Sequence, residues 1–425
     1  MGRHMAQDQR LRAPRGTYDV LPPESWQWLA LMRTALDTFA RAGYRPIETP
    51  MFEDTEVFER GVGATSEVVT KQMYTFTDRG GRSLTLRPEL TAGVVRAVVE
   101  HDLGRGSLPV KLAYAGPMFR QERPQKGRYR QFWQVGIEAL GSDEPDVDAE
   151  IVEVGDRFLR SCGLEPKLVL NSIGHVDESC RLGYNKVLGE FLDENREELA
   201  PEDRARIAMN PLRTFDSKEA RTIEVMTRAP LISEFICDAC RSHFEAVKHS
   251  LSVLDVAFTI DPRLVRGLDY YTRTTFEFVS EGLGSQNAVG GGGRYDGLSE
   301  QLGGPPLPAI GFSLGVDRIL LARGEAAEKF AVPGVSVYVV ALGPTARSKA
   351  LRLATELRRA GIGADLDLAG RGMKGQMKDA ARSGARWAAI VGEKELAVGE
   401  VTLRDLESGE QERVPVAGVV GRVQA

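Results

Sequence analysis

Long apolar stretches are missing from this 425-residue sequence. No run approaches the roughly 20 consecutive apolar residues that a membrane-spanning helix needs, and no signal peptide is recognisable. We therefore expect a cytoplasmic protein. Hydrophobic residues still make up 42% of the chain, which is enough for sizeable cores in two or three domains.

Cysteine is also scarce. The chain has four cysteines: Cys162, Cys180, Cys237 and Cys240. Their spacing forms no disulfide framework, which favours a reducing compartment. Cys237 and Cys240 form a Cys-x-x-Cys pair, but a zinc site normally needs two further ligands, and the nearest candidates, His243 and His249, lie in the same helix-like run. Since an isolated pair in a helix is more often part of the packing, the sequence predicts no metal site.

Positive charge shows no overall excess, because the formal net charge is −5. This value argues against a generally basic nucleic-acid binder, so any RNA contact must be local. From Pro333 onward the chain carries 14 Lys and Arg against 11 Asp and Glu, a net charge of +3, which leaves −8 for the remainder. The C-terminal part is therefore the candidate for a local RNA contact, with a merely solvated face as the alternative.

The most informative stretch runs from Phe119 to Glu138 and predicts an antiparallel hairpin. The first arm of the hairpin is the apolar segment that leads into this stretch, from Leu112 to Phe119. The second arm alternates between an apolar face and a polar face. The apolar face comprises Trp133, Val135, Ile137 and Ala139, and the polar face comprises Gln134, Gly136 and Glu138. The loop between the arms holds five basic residues against the single acid Glu122: Arg120, Arg123, Lys126, Arg128 and Arg130.

These arginines either form a solvated hairpin tip or bind an anion. Arg120 favours the second interpretation, because a guanidinium at the end of an apolar strand is costly unless it meets a carboxylate or phosphate. Gln134 and Glu138 would point into a cavity, with Gly136 leaving open space between them. Both side chains need partners there, and a ligand with hydrogen-bond donors would supply them.

The run Phe-Arg-x-Glu-Arg-Pro, continued by Arg-x-Arg-x-Phe, resembles motif 2 of the class II aminoacyl-tRNA synthetases, specifically of the histidyl family. The resemblance extends from Pro14 to the C-terminus. It implies that Arg120 grips the α-phosphate of ATP and the amino-acid carboxylate, and that Glu122 and Arg128 also contact ATP. It further implies that the loop, with Arg123 and Gln125, meets the acceptor end of the tRNA.

Upstream of the hairpin, helical spacing predicts a helix from Glu24 to Arg41 that Gly43 ends. The next segment, from Pro46 to Pro50, predicts an edge strand, since proline is excluded from central ladders. By resemblance these elements are motif 1, which ends at Pro50 and forms much of a homodimer interface.

Glu89 and Thr91 lie two residues apart, so in an extended segment they would project to the same side and suit an ammonium group. The alternative is a helix N-cap region ahead of the following valines. The resemblance implies that the two residues bind the α-amino group of histidine. Leu90 replaces a glycine that is common in the family. We expect its side chain to point away from Glu89 and Thr91, but the backbone conformation at this position can differ from that of the family.

The octet from Leu264 to Tyr271 places Arg266 beside a glycine turn and two tyrosines, Tyr270 and Tyr271, ahead of a strand-like run. Ordinary packing with a surface arginine is the alternative. By resemblance the octet marks the histidyl family: Arg266 contacts histidine and the α-phosphate and is catalytic together with Arg120. A fixed guanidinium would stabilise the charge that develops at phosphorus.

The remaining residues of the histidine pocket are also assigned by resemblance. They are Gln134, Glu138, Tyr270, Tyr271 and Tyr295, in addition to Glu89, Thr91 and Arg266. Tyr295 follows a glycine run, residues 290–293, that would let the backbone approach a ligand closely. Motif 3 spans residues 309–321 as a short strand that feeds a helix, and the resemblance assigns Arg318 to the adenine and γ-phosphate of ATP; a salt bridge to a neighbour is the alternative.

The rest of the chain predicts two regions: a mainly helical one before Pro333, and one after it in which strands and helices alternate. We expect a helix at residues 149–162, a strand at 167–170, and a helical insertion at 175–256. After Pro333, strands and helices alternate: strands at 335–342, 363–368 and 387–391, helices at 346–360 and 373–383. A Gly-x-Gly-x-x-Gly run at 370–375 is a weak dinucleotide fingerprint, because it does not follow the first strand of its domain.

Lys374, Lys378 and Arg382 recur every four residues and form a basic stripe on one helix face, in the region where the family has its anticodon-binding domain. By resemblance these three residues contact tRNA.

The sequence therefore predicts an α/β protein: an α+β catalytic core with an antiparallel sheet flanked by helices (6–330), a helical insertion (175–256) and an α/β anticodon-binding domain (333–425). The resemblance implies ATP-dependent, Mg²⁺-assisted ligation of L-histidine to tRNA(His) through a histidyl-adenylate. Three alternatives remain: a regulatory subunit of ATP phosphoribosyltransferase, another class II synthetase such as the prolyl or threonyl type, and a non-enzymatic RNA-binding protein. The residues Met1 to Met5 resemble a cloning remnant.

Overall fold

The computed structural model describes residues 11–63, 66–177, 179–204, 207, 210–284, 287–324, 330 and 333–424. Residues 1–5, which resemble a cloning remnant, and residues 325–329, which are rich in Glu, Ala and Lys, lie outside this range. The chain divides into two compact units, Met1–Phe330 and Ala331–Ala425. None of the described helices is both long enough and apolar enough to cross a membrane.

An eight-stranded sheet organises the first unit. Its strands, together with those of a smaller sheet, are β1 (Arg45–Pro46), β2 (Phe52–Asp54), β3 (Tyr74–Thr77), β4 (Ser83–Leu86), β5 (Val110–Phe119), β6 (Gln131–Leu140), β7 (Lys167–Ser172), β8 (Phe258–Ile260), β9 (Thr272–Val279), β10 (Ala288–Arg294) and β11 (Ala309–Gly315). The large sheet has the order β1-β5-β6-β11-β10-β9-β7-β8. Its strands are antiparallel except at the two ends, where β1 is parallel to β5 and β8 is parallel to β7. Strands β2, β4 and β3 form a separate antiparallel sheet.

Helices cover the sheet of the first unit. They are α1 (Glu24–Arg41), α2 (Thr55–Val62), α3 (Thr91–Glu100), α4 (Pro145–Ser161), α5 (Arg181–Glu194), α6 (Pro201–Arg204), α7 (Ala220–Met226), α8 (Asp238–Val253), α9 (Leu298–Gln301) and α10 (Val316–Arg323). Helix α1 has the predicted bounds, and Gly43 follows it with φ +85°. Between β7 and β8 the described residues form helices and 3-10 turns and no strand.

Helix α4 begins four residues before the predicted start. Pro145 occupies its first turn, where the missing N–H costs nothing, and Asp146 and Asp148 complement the helix dipole there. Residues 145–148, which the sequence analysis left outside the helix, therefore form its first turn.

The central hairpin is confirmed: β5 and β6 pair antiparallel along ten residues each. The alternation on β6 has the expected effect, since Val135, Ile137 and Ala139 are buried in one core cluster with α1, α4 and α8. A second core cluster joins α3, α5 and Tyr114 of β5. The sheet is thus buried on both faces, and the polar face of β6 lies within the protein.

Two local predictions about the sheet need correction: the strand predicted at its edge is present but shorter than expected, and the open space expected at Gly136 is missing. The strand predicted from Pro46 to Pro50 is reduced to Arg45–Pro46, and only the N–H of Ile47 continues the pairing, with Ala113 of β5. The chain then leaves the sheet, because the buried Arg87 guanidinium takes the carbonyl of Thr49 at 2.7 Å.

The open space predicted at Gly136 is also absent. A Cβ there would lie 2.3 Å from the Phe312 carbonyl oxygen and 2.5 Å from the Tyr114 hydroxyl. The glycine therefore admits Tyr114 and the neighbouring strand, and it does not leave a gap for a ligand.

The second unit is a mixed five-stranded sheet with helices. Its elements are β12 (Val337–Ala341), α11 (Pro344–Arg359), β13 (Ala364–Leu366), α12 (Met373–Arg382), β14 (Trp387–Val391), α13 (Glu393–Ala397), β15 (Glu400–Asp405), β16 (Gln411–Pro415) and α14 (Val419–Gln424). In the order β13-β12-β14-β15-β16 the first three strands are parallel and the last two antiparallel. The five predicted elements are present, and the β15–β16 hairpin was not predicted.

Candidate active site

A cavity of about 600 Å³ lies in the first unit, over the central strands of the large sheet. It brings together most of the residues that the sequence singled out for ATP and histidine. They are Glu89, Thr91, Arg120, Glu122, Arg128, Gln134, Arg266, Tyr270, Tyr271, Tyr295 and Arg318. Arg120 and Arg266, which come from distant parts of the chain, thus open into one hollow.

Arg120 follows β5 directly, and its side chain is held by contacts on several sides. Its Nε donates to the Pro88 carbonyl at 2.8 Å, its guanidinium lies 5.3 Å from the Phe132 ring centroid, and Glu122 lies 3.8 Å away. Burial lowers the pKa of Arg120, although Glu122 and Glu89 oppose the effect. An anionic ligand would relieve this desolvation of the cation.

Arg266 is fixed by a carboxylate that the sequence analysis did not single out. Its Nη1 donates to Glu277 of β9, and its guanidinium lies 5.8 Å from the Tyr271 ring centroid. Burial is the largest single effect and acts to lower the pKa of Arg266, but Glu277, Tyr271 and Asp216 together outweigh it, and the net pKa is raised. The guanidinium is therefore charged and oriented before any ligand arrives.

The glycine run of residues 290–293 forms most of β10, and Gly290 and Gly291 line the cavity. A Cβ on Gly291 would lie 3.0 Å from Nη1 of Arg266. Gly291 thus makes room for the side chain of Arg266. The sequence analysis had expected the glycine run to make room for a ligand.

Two further arginines, Arg318 and Arg128, line the cavity. Arg318, in α10, donates from Nε to the Ala288 carbonyl at 2.6 Å and from Nη1 to the Gly127 carbonyl at 3.5 Å. Arg128, in the hairpin loop, lies 3.7 Å from Glu122. Burial, and then the charge of Arg128, lowers the pKa of Arg318. The cavity therefore has a cluster of cations suited to a polyphosphate.

Three tyrosines form an aromatic corner of the cavity. Tyr270 and Tyr271 have ring centroids 4.7 Å apart, and Tyr270 meets Tyr295 edge-on at 5.6 Å. All three are buried. Such a corner presents flat apolar faces with polar hydroxyl tips, which suits a small planar ring that carries N–H groups.

Glu138 does not itself line the cavity, but it is buried directly behind Gly311, which does, with Oε2 next to that glycine. Its carboxylate accepts hydrogen bonds from the hydroxyls of Thr91 (2.7 Å), Tyr114 (3.1 Å) and Tyr295. The expectation that a ligand would supply its partners is therefore only partly met, because hydroxyls of the protein supply three. Burial raises the pKa of Glu138 to about 8.

Gln134 behaves as expected. It lines the cavity, and its buried Oε1 has no hydrogen-bond partner among the residues that the structure describes. A buried acceptor without a donor costs on the order of 1–3 kcal/mol. A ligand that donates to Oε1 would recover this free energy.

The segment of Glu89 and Thr91 is not extended, so that basis for their pairing is wrong. Helix α3 begins at Thr91, and the Glu89 carboxylate accepts the N–H groups of Thr91 (2.6 Å) and Ala92 (2.9 Å). The helix-cap alternative is therefore what the structure has. Leu90 has φ −106°, so this position does not require glycine.

The residues expected at RNA are exposed. Arg123 and Gln125 lie at the hairpin tip, beside a second cavity of about 350 Å³ that Arg128 and Lys218 also line. In the second unit Lys374, Lys378 and Arg382 are exposed on α12. Nη1 of Arg382 lies 3.7 Å from Oδ1 of Asp379.

Sequence reasoning missed three residues that the helical stretch between β7 and β8 contributes to the main cavity. They are Arg213, Asp216 and Lys218. Arg213 is anchored to Asp269 of the octet at 2.8 Å, and burial raises the pKa of Asp216 to about 6. No spacing signal could have found them, because only tertiary packing brings this stretch to the cavity.

Comparisons with known proteins agree with this geometry. Residues 16–319 match the family model described as histidyl-tRNA synthetase, and residues 336–425 match the anticodon binding domain. The histidine–tRNA ligase of Nocardia farcinica is 49% identical over 98% of both chains, and that of Mycolicibacterium vanbaalenii is 50% identical over 99% of both. The solved structure of apo histidyl-tRNA synthetase from S. aureus is 36% identical, with a TM-score of 0.82, and covers 98% of this chain and 100% of that one.

An antiparallel sheet carrying a cationic cavity, followed by a separate anticodon-binding unit, defines an aminoacyl-tRNA synthetase of class II. With full-length matches at this level of identity, the chain belongs to the histidyl-tRNA synthetase family.

Proposed function

We propose that this protein ligates L-histidine to tRNA(His) at the expense of ATP, through a histidyl-adenylate. One observation carries the proposal: Arg120 and Arg266 share a cavity with the tyrosine corner of Tyr270, Tyr271 and Tyr295. Two fixed cations provide for a phosphate and a carboxylate, and the corner provides for an imidazole. ATP and histidine thus have complementary places in a single hollow.

Histidine binds with its side chain toward the tyrosines and its α-amino group toward Glu89 and Thr91. Gln134 offers the acceptor that lacks a donor. A carboxylate has about four acceptor positions, and Glu138 uses three of them on protein hydroxyls, two on Oε1 and one on Oε2. The remaining position on Oε2 would take an imidazole N–H.

In the first step the histidine carboxylate attacks the α-phosphate of ATP, and pyrophosphate leaves. Arg120 holds the carboxylate and the α-phosphate, and Arg266 stabilises the charge that develops at phosphorus. Arg318 binds the adenine and the γ-phosphate, and Glu122 and Arg128 complete the ATP site. No side chain serves as a nucleophile, so positioning and charge stabilisation provide the rate.

Mg²⁺ accompanies ATP in this proposal. The ion prefers oxygen ligands and commonly takes most of them from phosphates and water, with one or two carboxylates. Glu122 and Glu277 line the cavity and would supply such oxygens. When bound, Mg²⁺ would neutralise phosphate charge while the arginines hold the reacting atoms.

In the second step the terminal ribose hydroxyl of the tRNA attacks the carbonyl carbon of the histidyl-adenylate, an ester bond forms, and AMP leaves as the acyl–phosphate bond breaks. The exposed hairpin tip, with Arg123 and Gln125, meets the acceptor end, and the exposed stripe of Lys374, Lys378 and Arg382 contacts tRNA from the second unit. We assign the catalytic core to residues 6–330, a helical insertion to 175–256 and the anticodon-binding domain to 333–425.

We also propose a homodimer located in the cytoplasm. The small sheet supports the dimer, because Phe52 of β2, Phe76 of β3 and the adjoining Met51 are large apolar side chains that the chain leaves exposed. The four free thiols agree with a reducing compartment.

Pyrophosphate exchange with each of the twenty amino acids tests the function. We expect exchange with histidine alone. No exchange with any amino acid would favour the regulatory-subunit alternative, and exchange with proline or threonine would favour another class II synthetase. Either result would overturn the proposal.

A further inference from the structure

The helical stretch between β7 and β8 contains a cluster of metal-ligand side chains that the active site does not use. Its members are His175, Cys180, Cys237 and Cys240, and their ligand atoms all lie within 4.8 Å of one another. His175 follows β7, Cys180 precedes α5, and the Cys-x-x-Cys pair lies at the start of α8. The Cys-x-x-Cys pair is therefore not isolated. Its apparent isolation was the reason why the sequence alone predicted no zinc site.

The distances fit a tetrahedral ion. Nδ1 of His175 lies 2.9 Å from Sγ of Cys240 and 3.8 Å from Sγ of Cys237, and the Sγ atoms of Cys180 and Cys240 are 3.9 Å apart. Zinc–sulfur bonds of about 2.3 Å in a tetrahedron place neighbouring sulfurs about 3.8 Å apart. The four side chains could take these positions with small side-chain adjustments.

Groups around the cluster orient its members. Nε2 of His175 pairs with the carboxylate of Asp177, so Nδ1 is the nitrogen that faces the thiols. A carboxylate on the far nitrogen is the usual partner of a zinc-bound histidine. The N–H of Cys237 donates to Sγ of Cys180 at 3.0 Å, and the N–H of Cys240 points to Sγ of Cys237 at 3.5 Å. Such donors stabilise thiolates.

The two histidines considered on sequence are not part of this cluster. His243 is buried and its Nε2 bonds instead to Asp148 at 3.0 Å. Asp148 in turn holds the fully buried Arg294 at 2.7 Å. The ligands that complete the Cys-x-x-Cys pair therefore come from the segment some 60 residues earlier, which spacing within the helix could not reveal.

We propose that His175, Cys180, Cys237 and Cys240 bind one structural Zn²⁺ ion. Four protein ligands close the coordination sphere, so the ion has no open position for a substrate. It joins the start of α5 to the start of α8. Arg181, which follows the ligand Cys180, donates a hydrogen bond to the carbonyl of Tyr271. The site therefore supports a wall of the main cavity from outside.

Metal analysis of the full-length protein, purified without chelators, tests the site. We expect about one zinc ion per chain, and loss of that zinc in the Cys237→Ser/Cys240→Ser double variant. Cys162→Ser is the matched control, because Cys162 is a buried cysteine in the other core cluster and should keep the zinc.

Cobalt substitution decides the case even if the double variant folds poorly. The wild-type protein loaded with Co²⁺ should show the thiolate-to-cobalt charge-transfer and tetrahedral ligand-field bands, and the Cys162→Ser variant should show them too. Asp177→Asn should keep the ligands but bind zinc about 10–100-fold more weakly.

Three outcomes would overturn the proposal. The first is zinc below about a tenth of an ion per chain after reconstitution with Zn²⁺. The second is a Co²⁺ spectrum without thiolate bands. The third is a disulfide between Cys180 and Cys240 in protein kept under reducing conditions, since both thiolates are needed for the metal.

Discussion

At the scale of single residues, the active-site cations are held in place by partners that differ between them. Arg266 has a carboxylate partner, Glu277, whereas Arg120 relies on a carbonyl, an aromatic face and a more distant Glu122. The pKa of Arg266 is raised and that of Arg120 is lowered. Arg266 is therefore charged and oriented before any ligand binds, as its proposed role at the transition state requires, and Arg120 gains more from a bound anion.

Replacing Arg266 by alanine should separate binding from chemistry. Arg266→Ala should retain histidine and ATP binding but slow adenylate formation about a hundredfold or more, on the order of 3 kcal/mol, because a charge aimed at the transition state is lost. Pyrophosphate exchange and equilibrium binding measure the two effects. Arg263→Ala, three residues earlier and exposed, is the control and should be unaffected. Exchange at the wild-type rate in Arg266→Ala would refute the role.

The pKa of Glu138, raised to about 8 by burial, predicts a pH dependence of histidine binding. Below this value the carboxyl holds a proton in the folded protein, and above it the carboxylate is a stronger acceptor for an imidazole N–H. The KM for histidine should therefore fall as the pH rises from 7 to 9, with a smaller change in kcat. Glu138→Gln keeps the shape but cannot ionise, so its KM should be higher and independent of pH in this range. An identical KM profile in the variant would contradict the assignment.

The sequence predicted which residues gather at the cavity better than it predicted how they touch. The alternation along β6 placed Gln134 and Glu138 on one face, but only the folded chain sets Glu138 behind Thr91 and Tyr295. Likewise Glu89 reaches the cavity as a helix cap. Local spacing fixes the face of a strand, whereas depth and partners depend on what packs against it.

At the scale of elements, those with strong periodicity were predicted closely and those set by tertiary contacts were not. Helix α1 and strand β14 have the predicted bounds. Strand β1 is shorter because Arg87 takes the Thr49 carbonyl. The hairpin of β15 and β16 was missed: its strands are short, and several charged residues weaken the apolar alternation.

The basic stripe on α12 predicts a specific defect in the second step. Lys374→Glu/Lys378→Glu should weaken tRNA binding about tenfold or more, and the slope of log affinity against log salt should become shallower by about two, as two phosphate contacts are lost. Histidine-dependent pyrophosphate exchange without tRNA should be unchanged. Filter binding across a salt series measures the first effect.

A matched pair of charge reversals controls for net charge. Lys349→Glu/Lys394→Glu alters two exposed lysines of the same unit that lie outside α12. It should leave the affinity much closer to that of the wild type. Equal losses in both double variants would mean that the unit attracts tRNA by overall charge and that the stripe has no special role.

At the scale of the whole molecule, charge is divided between the two parts of the chain. The part before Pro333 carries −8 and the part after it +3. An acidic catalytic part should repel tRNA unless its contacts are local, and the exposed hairpin tip, with Arg123 and Gln125, is the local contact that we propose there. This division explains how an acidic protein can use a polyanionic substrate without binding nucleic acid in general.

The association of two chains is the remaining whole-molecule property, and the small sheet of β2, β3 and β4 is where we expect it to be decided. Phe52 and Phe76 meet edge-on at 6.4 Å and are both exposed, beside the exposed Met51. Burying such side chains stabilises association by about 1.5–3 kcal/mol each, so Phe52→Glu/Phe76→Glu should shift a dimer toward monomer in sedimentation velocity. Ile223→Glu/Val253→Glu changes two exposed apolar residues elsewhere and should not. A wild-type protein that sediments only as a monomer at micromolar concentration would contradict the dimer, and a Phe52→Glu/Phe76→Glu variant that stays dimeric would place the interface on another surface.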